Sequence, residues 1–174
     1  MPAWYDIRSL EERSEDREDM EGVEWAVNFV QDIVSKEVEQ HGLTSDRVVV
    51  GGFSQGGAVS LRTALTSPVP LGGCIALSTY LPGDPSSYTQ PQHDTPVFQV
   101  SPSPRCTWPH ITCYCPQAHG DEDGVVSYKR GQLTSDIVSR LVKNHKFVTY
   151  PGMMHEATEE ELEDIKTWMS EKLK

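Results

Sequence analysis

The stretch Val48-Val49-Val50-Gly51-Gly52-Phe53-Ser54-Gln55-Gly56-Gly57-Ala58 decides how the rest of this chain is read. Three successive valines favour an extended strand. Ala58, Leu61 and Ala64, beyond the glycines, fall at helical spacing. Between strand and helix, Gly52, Ser54 and Gly56 fit the pattern G-x-S-x-G. A turn this tight holds its central Ser in a strained conformation with the hydroxyl standing above the strand end. Side chains two residues either side would collide, so those places call for Gly. The helix N-terminus that follows offers a positive dipole and free N–H groups, with the backbone N–H of Gln55 foremost as a donor to a developing oxyanion. The plainer alternative is a Gly-rich structural turn with no chemistry.

Outward from this turn the chain alternates helical and strand patterns. The spacing predicts a first helix over Asp16–His41, with Val23, Ala26, Val27, Val30, Ile33, Val34 and Val38 as its stripe and Gly42 as its terminator. A strand is expected over Arg47–Gly51, interrupted by Phe53–Gly57, then a helix over Gln55–Leu65. Further strands are expected over Gly72–Ser78, Thr95–Val100 and Lys146–Tyr150. A helix over Ser127–Lys143 would bury Leu133, Ile137, Val138 and Leu141. Thr158 and Glu161 form a capping box opening a last helix, with Leu162, Ile165, Met169 and Leu173 facing inward. Alternating strands and helices mean an α/β fold with a mostly parallel sheet flanked by helices. The length of 174 residues suits one domain, 1–174.

A serine nucleophile needs a base and a group to orient that base. With a G-x-S-x-G turn of this type they follow in the chain order Ser, Asp, His. His119-Gly120-Asp121-Glu122-Asp123-Gly124 precedes a helix, and Asp121 and Asp123 compete for the acid. Tyr150-Pro151-Gly152-Met153-Met154-His155 follows the last strand, and His155 is the candidate base. Both loops lie at strand C-terminal ends, where open α/β sheets place their sites. A surface-turn aspartate and a helix-start histidine are the alternatives.

Composition narrows the classes of partner. The formal net charge is −11. Nucleic acid and anionic membrane surfaces are also negative and are disfavoured. No apolar run approaches the ~20 residues of a membrane span, and no basic-then-apolar signal layout opens the chain. A cytoplasmic protein without stable membrane insertion is the expectation.

Taken together, Met1-Pro-Ala-Trp-Tyr-Asp-Ile, Gly51-Gly-Phe-Ser-Gln-Gly-Gly-Ala, Ala76-Leu-Ser with Leu81-Pro82, His119-Gly-Asp-x-Asp and Tyr150-x-Gly-Met-x-His155 resemble the acyl-protein thioesterases, also described as lysophospholipases or carboxylesterases. The resemblance implies an α/β-hydrolase fold, with Ser54 as nucleophile, His155 as general base and Asp123, rather than Asp121, as the orienting acid. It implies acyl transfer through an acyl-Ser intermediate and no metal or organic cofactor. It also implies S-acylated proteins, lysolipids or small esters as substrates. Leu81, in the loop after a sheet strand, is a candidate for the acyl-binding wall, with core packing as the alternative. The family carries roughly a further third of a domain before the Met-Pro-x-Trp block, so this chain is expected to be a partial hydrolase fold with its first strands missing. A non-catalytic hydrolase-like fragment or interaction module is the competing expectation.

Residues 100–117 depart from the family pattern and are expected to be an irregular insert. Removing them joins Thr95-Pro-Val-Phe-Gln directly to Ala118-His-Gly-Asp. Val codons begin GT and one Gln codon is CAG, the ends of an intron read in frame, so retained intron sequence is the expectation. The same stretch holds Cys106, His110, Cys113 and Cys115, with His119 nearby. The paired C-x-x-C spacing of zinc sites is absent, so no metal site is expected.

Overall fold

A computed structural model describes residues 3–7, 18–100 and 123–172. The expected insert, except Val100, lies outside the described residues. So do Asp121 and the cluster of Cys106, His110, Cys113, Cys115 and His119.

Four strands form one parallel sheet: β1 (Val49–Phe53), β2 (Gly73–Leu77), β3 (Val97–Val100) and β4 (His145–Val148), in the spatial order β1-β2-β3-β4. Parallel neighbours require crossover connections. Helix α2 (Gln55–Thr66) makes the first crossover and α3 (Tyr128–Leu141) precedes β4. Helices α1 (Met20–His41) and α4 (Glu159–Lys172) are the first and last elements in chain order among the described residues.

The pleat divides the sheet's side chains between two layers. Cys74 and Ala76 of β2 pack with Val50, Leu61, Ala64, Leu81, Val97 and Val138 on one side. Ile75 and Leu77 of the same strand pack with Phe98, Tyr150, Met153 and Trp168 on the other. All five β2 positions are buried, as an interior parallel strand covered on both faces must be. Outside the first layer, Val23, Ala26 and Val27 of α1 close on Ala58 and Val59 of α2.

Several boundaries differ from the sequence expectation. Helix α1 begins at Met20, not Asp16, because Asp19 caps it: Asp19 Oδ1 accepts the Gly22 N–H at 3.0 Å. Glu18 is drawn into an isolated antiparallel bridge with Ile7 instead. Gly42 ends the helix at φ 63°, as expected.

Arg47 belongs to a short 3-10 turn, and β1 runs on through the glycine pair to Phe53. Gly51 and Gly52 pair with Ile75 and Ala76, and this ladder overrides the weak strand preference of Gly. Among the described residues β1 pairs with β2 alone, so its other edge is open.

Helix α3 packs Ile137, Val138 and Leu141 against the core as expected, but not Leu133. It buries Gly131, Thr134, Ser135 and Val138 and leaves Leu133 exposed. The small residues let the helix approach the chain after β2, where the Thr134 hydroxyl accepts the Leu81 N–H at 2.9 Å. In α4, Leu162 is exposed and Trp168 is buried against Phe98. Gly73 makes room for the Trp168 ring, where a Cβ would collide with it.

The Thr158–Glu161 capping box forms reciprocally, each backbone N–H meeting the other's side-chain oxygen at 3.3 Å. Glu161 is nonetheless fully buried, and its Oε1 has no partner among the described residues. Burial pushes its carboxyl up to about 7, opposed by the Thr158 N–H. The native state therefore holds this proton more tightly than the unfolded chain does. The carboxyl does not weaken the fold below about pH 4.5, and it weakens it fully above about pH 7. A Glu161→Gln variant, neutral throughout, is expected to gain about 2 kcal/mol on the native protein between about pH 5 and about pH 8. Urea midpoints at the two pH values check this, and parallel pH dependences would contradict it.

Candidate active site

Ser54 follows β1 directly and caps α2 with φ 53° and ψ −120°. A non-Gly residue at positive φ is strained and persists only where its surroundings hold it. Here the Ser54 N–H donates to Leu77 C=O at 2.8 Å. Its own C=O accepts from the Ala58 N–H at 3.1 Å and from the Thr79 hydroxyl at 2.6 Å.

The glycines of the turn are unequal. A Cβ on Gly52 would run into the backbone of Gly56 and come within 2.8 Å of the Gly57 nitrogen. A Cβ on Gly57 would meet the Thr79 Cβ at 2.8 Å. A Cβ on Gly56 would meet nothing nearer than the Trp4 Nε1 at 3.7 Å. Crowding therefore requires Gly at 52 and 57. The collision expected at Gly56 is absent, because that position opens onto a groove.

His155 arrives from the other side of the sheet. After β4 the chain turns at Gly152 (φ 75°), and Met153 plugs into the core while Met154 points outward. The His155 ring lies 4.7 Å from the Phe53 ring, centroid to centroid. Its Nε2 is 2.9 Å from Ser54 Oγ, and its Nδ1 is 2.7 Å from Asp123 Oδ2. The other Asp123 oxygen accepts the N–H groups of Val125 and Val126 at 2.8 and 2.9 Å. The Asp123 side chain is wholly inaccessible. A carboxylate only accepts, so the partners assign the proton to His155 Nδ1. Nε2 is then free to accept from the Ser54 hydroxyl.

Residues separated by 101 and 32 positions in sequence thus form one hydrogen-bonded series. Ser54 and His155 would pass a proton, and Asp123 would hold the ring. Gln55 begins α2, so its backbone N–H has no acceptor inside the helix and lies at the Ser54 end. Its side chain is used elsewhere: Oε1 accepts the Trp4 N–H at 2.9 Å, and Nε2 donates to Tyr5 C=O at 2.6 Å. This ties the 3–7 segment beside the turn. Tyr5 is further held by its hydroxyl against that of Tyr80 at 3.0 Å, and burial pushes the Tyr5 hydroxyl well above its usual range. The clamp of Thr79 and the anchoring of Asp123 by two backbone N–H groups carry no pattern visible in sequence.

An open groove of about 430 Å³ runs along the free edge of β1, walled by Trp4, Val50, Phe53, Gln55, Gly56 and Val59. Leu81 takes no part in it. It is 1% exposed within the core, with its N–H bonded to Thr134, which supports the packing alternative for this side chain. A smaller depression beside Arg62 and Tyr88 lies apart from Ser54, Asp123 and His155. Among the described residues no group of three His, Cys, Asp or Glu side chains could hold a metal ion. Likewise no described helix is long and apolar enough to cross a membrane.

A sequence model of the phospholipase/carboxylesterase family, an α/β-hydrolase family, matches residues 1–173. The chain belongs to this family. Among curated relatives of this hydrolase family member, acyl-protein thioesterase 1 of Neurospora crassa is 37% identical over 99% of the chain and 66% of its own length. The protein of the same name from Mycosarcoma maydis is 37% identical over 97% of the chain and 68% of its own. The chain spans about two thirds of the length of these relatives. The crystal structure of Arabidopsis thaliana SOBER1 superimposes with a TM-score of 0.77 at 26% identity, covering 99% of this chain and 74% of that one. The crystal structure of Zea mays acyl-protein thioesterase 2, at 24% identity and a TM-score of 0.68, shares the fold.

The unequal glycines give a direct test. Gly52→Ala is expected to cost about 3 kcal/mol or more through backbone collision. Gly56→Ala should be neutral or stabilising by up to about 1 kcal/mol, since Ala favours a helix. Denaturant unfolding of both variants checks the order, and equal destabilisation would contradict it.

Proposed function

We propose that this chain is a serine hydrolase of acyl thioesters, or of related carboxylic and lysophospholipid esters, working through an acyl-Ser54 intermediate. The observation that carries this reading is the unbroken series Ser54 Oγ, His155 Nε2, His155 Nδ1 and Asp123 Oδ2, at 2.9 and 2.7 Å. His155 Nε2 takes the Ser54 proton as Oγ attacks the acyl carbonyl. The Gln55 N–H, at the positive end of α2, faces the negative charge that develops on the carbonyl oxygen. Collapse expels the thiolate or alkoxide, which takes its proton from His155. Water then attacks the acyl-Ser54 ester with His155 again as base, releasing the acid and restoring the Ser54 hydroxyl. Asp123 keeps the imidazole in the required tautomer and stabilises it when charged.

S-acylated cytoplasmic proteins are the proposed substrates, supported by the name acyl-protein thioesterase 1 that the relatives carry. A second reading, a non-catalytic hydrolase-like interaction module, draws on the edge of β1 that has no strand partner among the described residues. Fluorophosphonate labelling separates the two. The folded chain should be labelled and Ser54→Ala should not, and an unlabelled folded chain would favour the second reading. Comparing a palmitoyl thioester with a short oxygen ester separates the substrate classes.

Asp123→Asn gives a sharper test. The Asn oxygen can keep the Val125 and Val126 N–H bonds, which turns its NH₂ towards His155 Nδ1. That favours the wrong tautomer, and turnover is expected to fall about 10³–10⁴-fold with the fold retained. Steady-state hydrolysis checks this, and a loss below tenfold would contradict the role given to Asp123.

A further inference from the structure

We infer that Thr79 is a positioning residue for Ser54, acting through the Ser54 carbonyl; the inference rests on the hydrolase reading above. Ser54 and Ser78 are the two non-Gly residues at positive φ among those described, at 53° and 45°. They stand side by side, each immediately after a paired strand end, because Phe53 pairs with Leu77. The two strained turns interlock. The β2 turn takes the Ser54 N–H on Leu77 C=O and gives the Thr79 hydroxyl to Ser54 C=O at 2.6 Å. A longer alternative for that hydroxyl, Tyr80 C=O at 3.5 Å, is much the weaker.

The placement of Thr79 is built in from several sides. The residue is fully buried. Its Cβ and Cγ2 fill the space above Gly57, where a Cβ would come within 2.9 Å of both. Ser78 accepts left-handed strain with its hydroxyl buried and without a partner among the described residues. Two costs, a strained backbone and one unpartnered hydroxyl, thus accompany a turn whose outcome is one hydrogen bond onto the residue that bears the nucleophile. Among the described residues, Thr79 supplies the one side-chain hydrogen bond to the Ser54 backbone. Ser54 C=O also keeps the Ala58 N–H bond, so the fold does not depend on Thr79 for an otherwise orphaned carbonyl. What Thr79 fixes is the rotation of the Ser54 peptide, and with it the direction of Cβ and Oγ towards His155. Misplacement of a reacting atom by about 1 Å can cost on the order of 10²-fold in rate.

The test uses the second-order rate of fluorophosphonate labelling across pH, alongside thermal midpoints. Thr79→Val keeps shape and removes the donor, and Thr79→Ser restores the donor. Thr134→Val removes an equally buried hydroxyl, the one bonded to Leu81, far from the nucleophile in sequence and serves as the structural control. The expected result is about a tenfold slower plateau for Thr79→Val with its pH midpoint unmoved, recovery to within about twofold in Thr79→Ser, and the native rate in folded Thr134→Val. A native rate in Thr79→Val, or slowing in both Val variants in proportion to unfolded chain, would overturn the inference alone. Absence of Ser54 labelling in the folded native chain would overturn the hydrolase reading, and this inference with it.

Discussion

Everything at this site depends on one backbone constraint: Ser54 is held at positive φ between the end of β1 and the start of α2. Strain of this kind costs about 1–3 kcal/mol and survives only where neighbours leave no alternative. Here the neighbours are the β2 end, which binds both polar groups of the Ser54 backbone, and α2, whose first turn packs against Gly52. The strand register carries the constraint. With Phe53 opposite Leu77, the Leu77 carbonyl lies where the Ser54 N–H needs it, and a slip of one residue would remove it.

The parallel sheet explains why distant residues meet. Its strand C-termini share one edge, so the chains leaving β1 and β4, the two outer strands, emerge on the same side, and the loop after β4 carries His155 across to Ser54. Met153 and Tyr150 anchor the second of these turns in the core, which leaves His155 little freedom. Asp123 is fixed by the local N–H groups of its own loop rather than by the sheet. The same sheet leaves β1 with a free edge among the described residues, and the apolar groove lies along it. The Ser54 turn thus sits at a border, firmly packed against β2 and open on the side of Trp4 and Phe53.

Much of this was legible in the sequence because the governing interactions are local or periodic. Gly52, Gly42 and the Thr158–Glu161 box signal through short-range geometry, whereas the choice of Asp123 over Asp121 comes from the family resemblance. Helix faces were less legible. Leu133 and Leu162 are apolar and fit a stripe, yet they face solvent. Small or polar residues such as Gly131, Thr134 and Glu161 take the inner positions because close approach and capping decide there. The C-terminal extent of β1 was misread because Gly52 is a poor strand former, and pairing with Ala76 of β2 keeps it extended. Leu81 was ambiguous between wall and core, and its side chain is buried among core residues in the structure. Thr79 left no signal, since its partner is a backbone carbonyl that any residue offers.

The central claim is that Ser54 becomes covalently acylated during turnover. Its most direct test is mass spectrometry of the chain quenched in acid while it hydrolyses an acyl thioester, followed by peptide mapping. The account predicts one acyl group, carried by the peptide containing Ser54 and chased away by water on further incubation. Sustained hydrolysis with no acyl group on Ser54, or with the acyl group on another side chain, would contradict it.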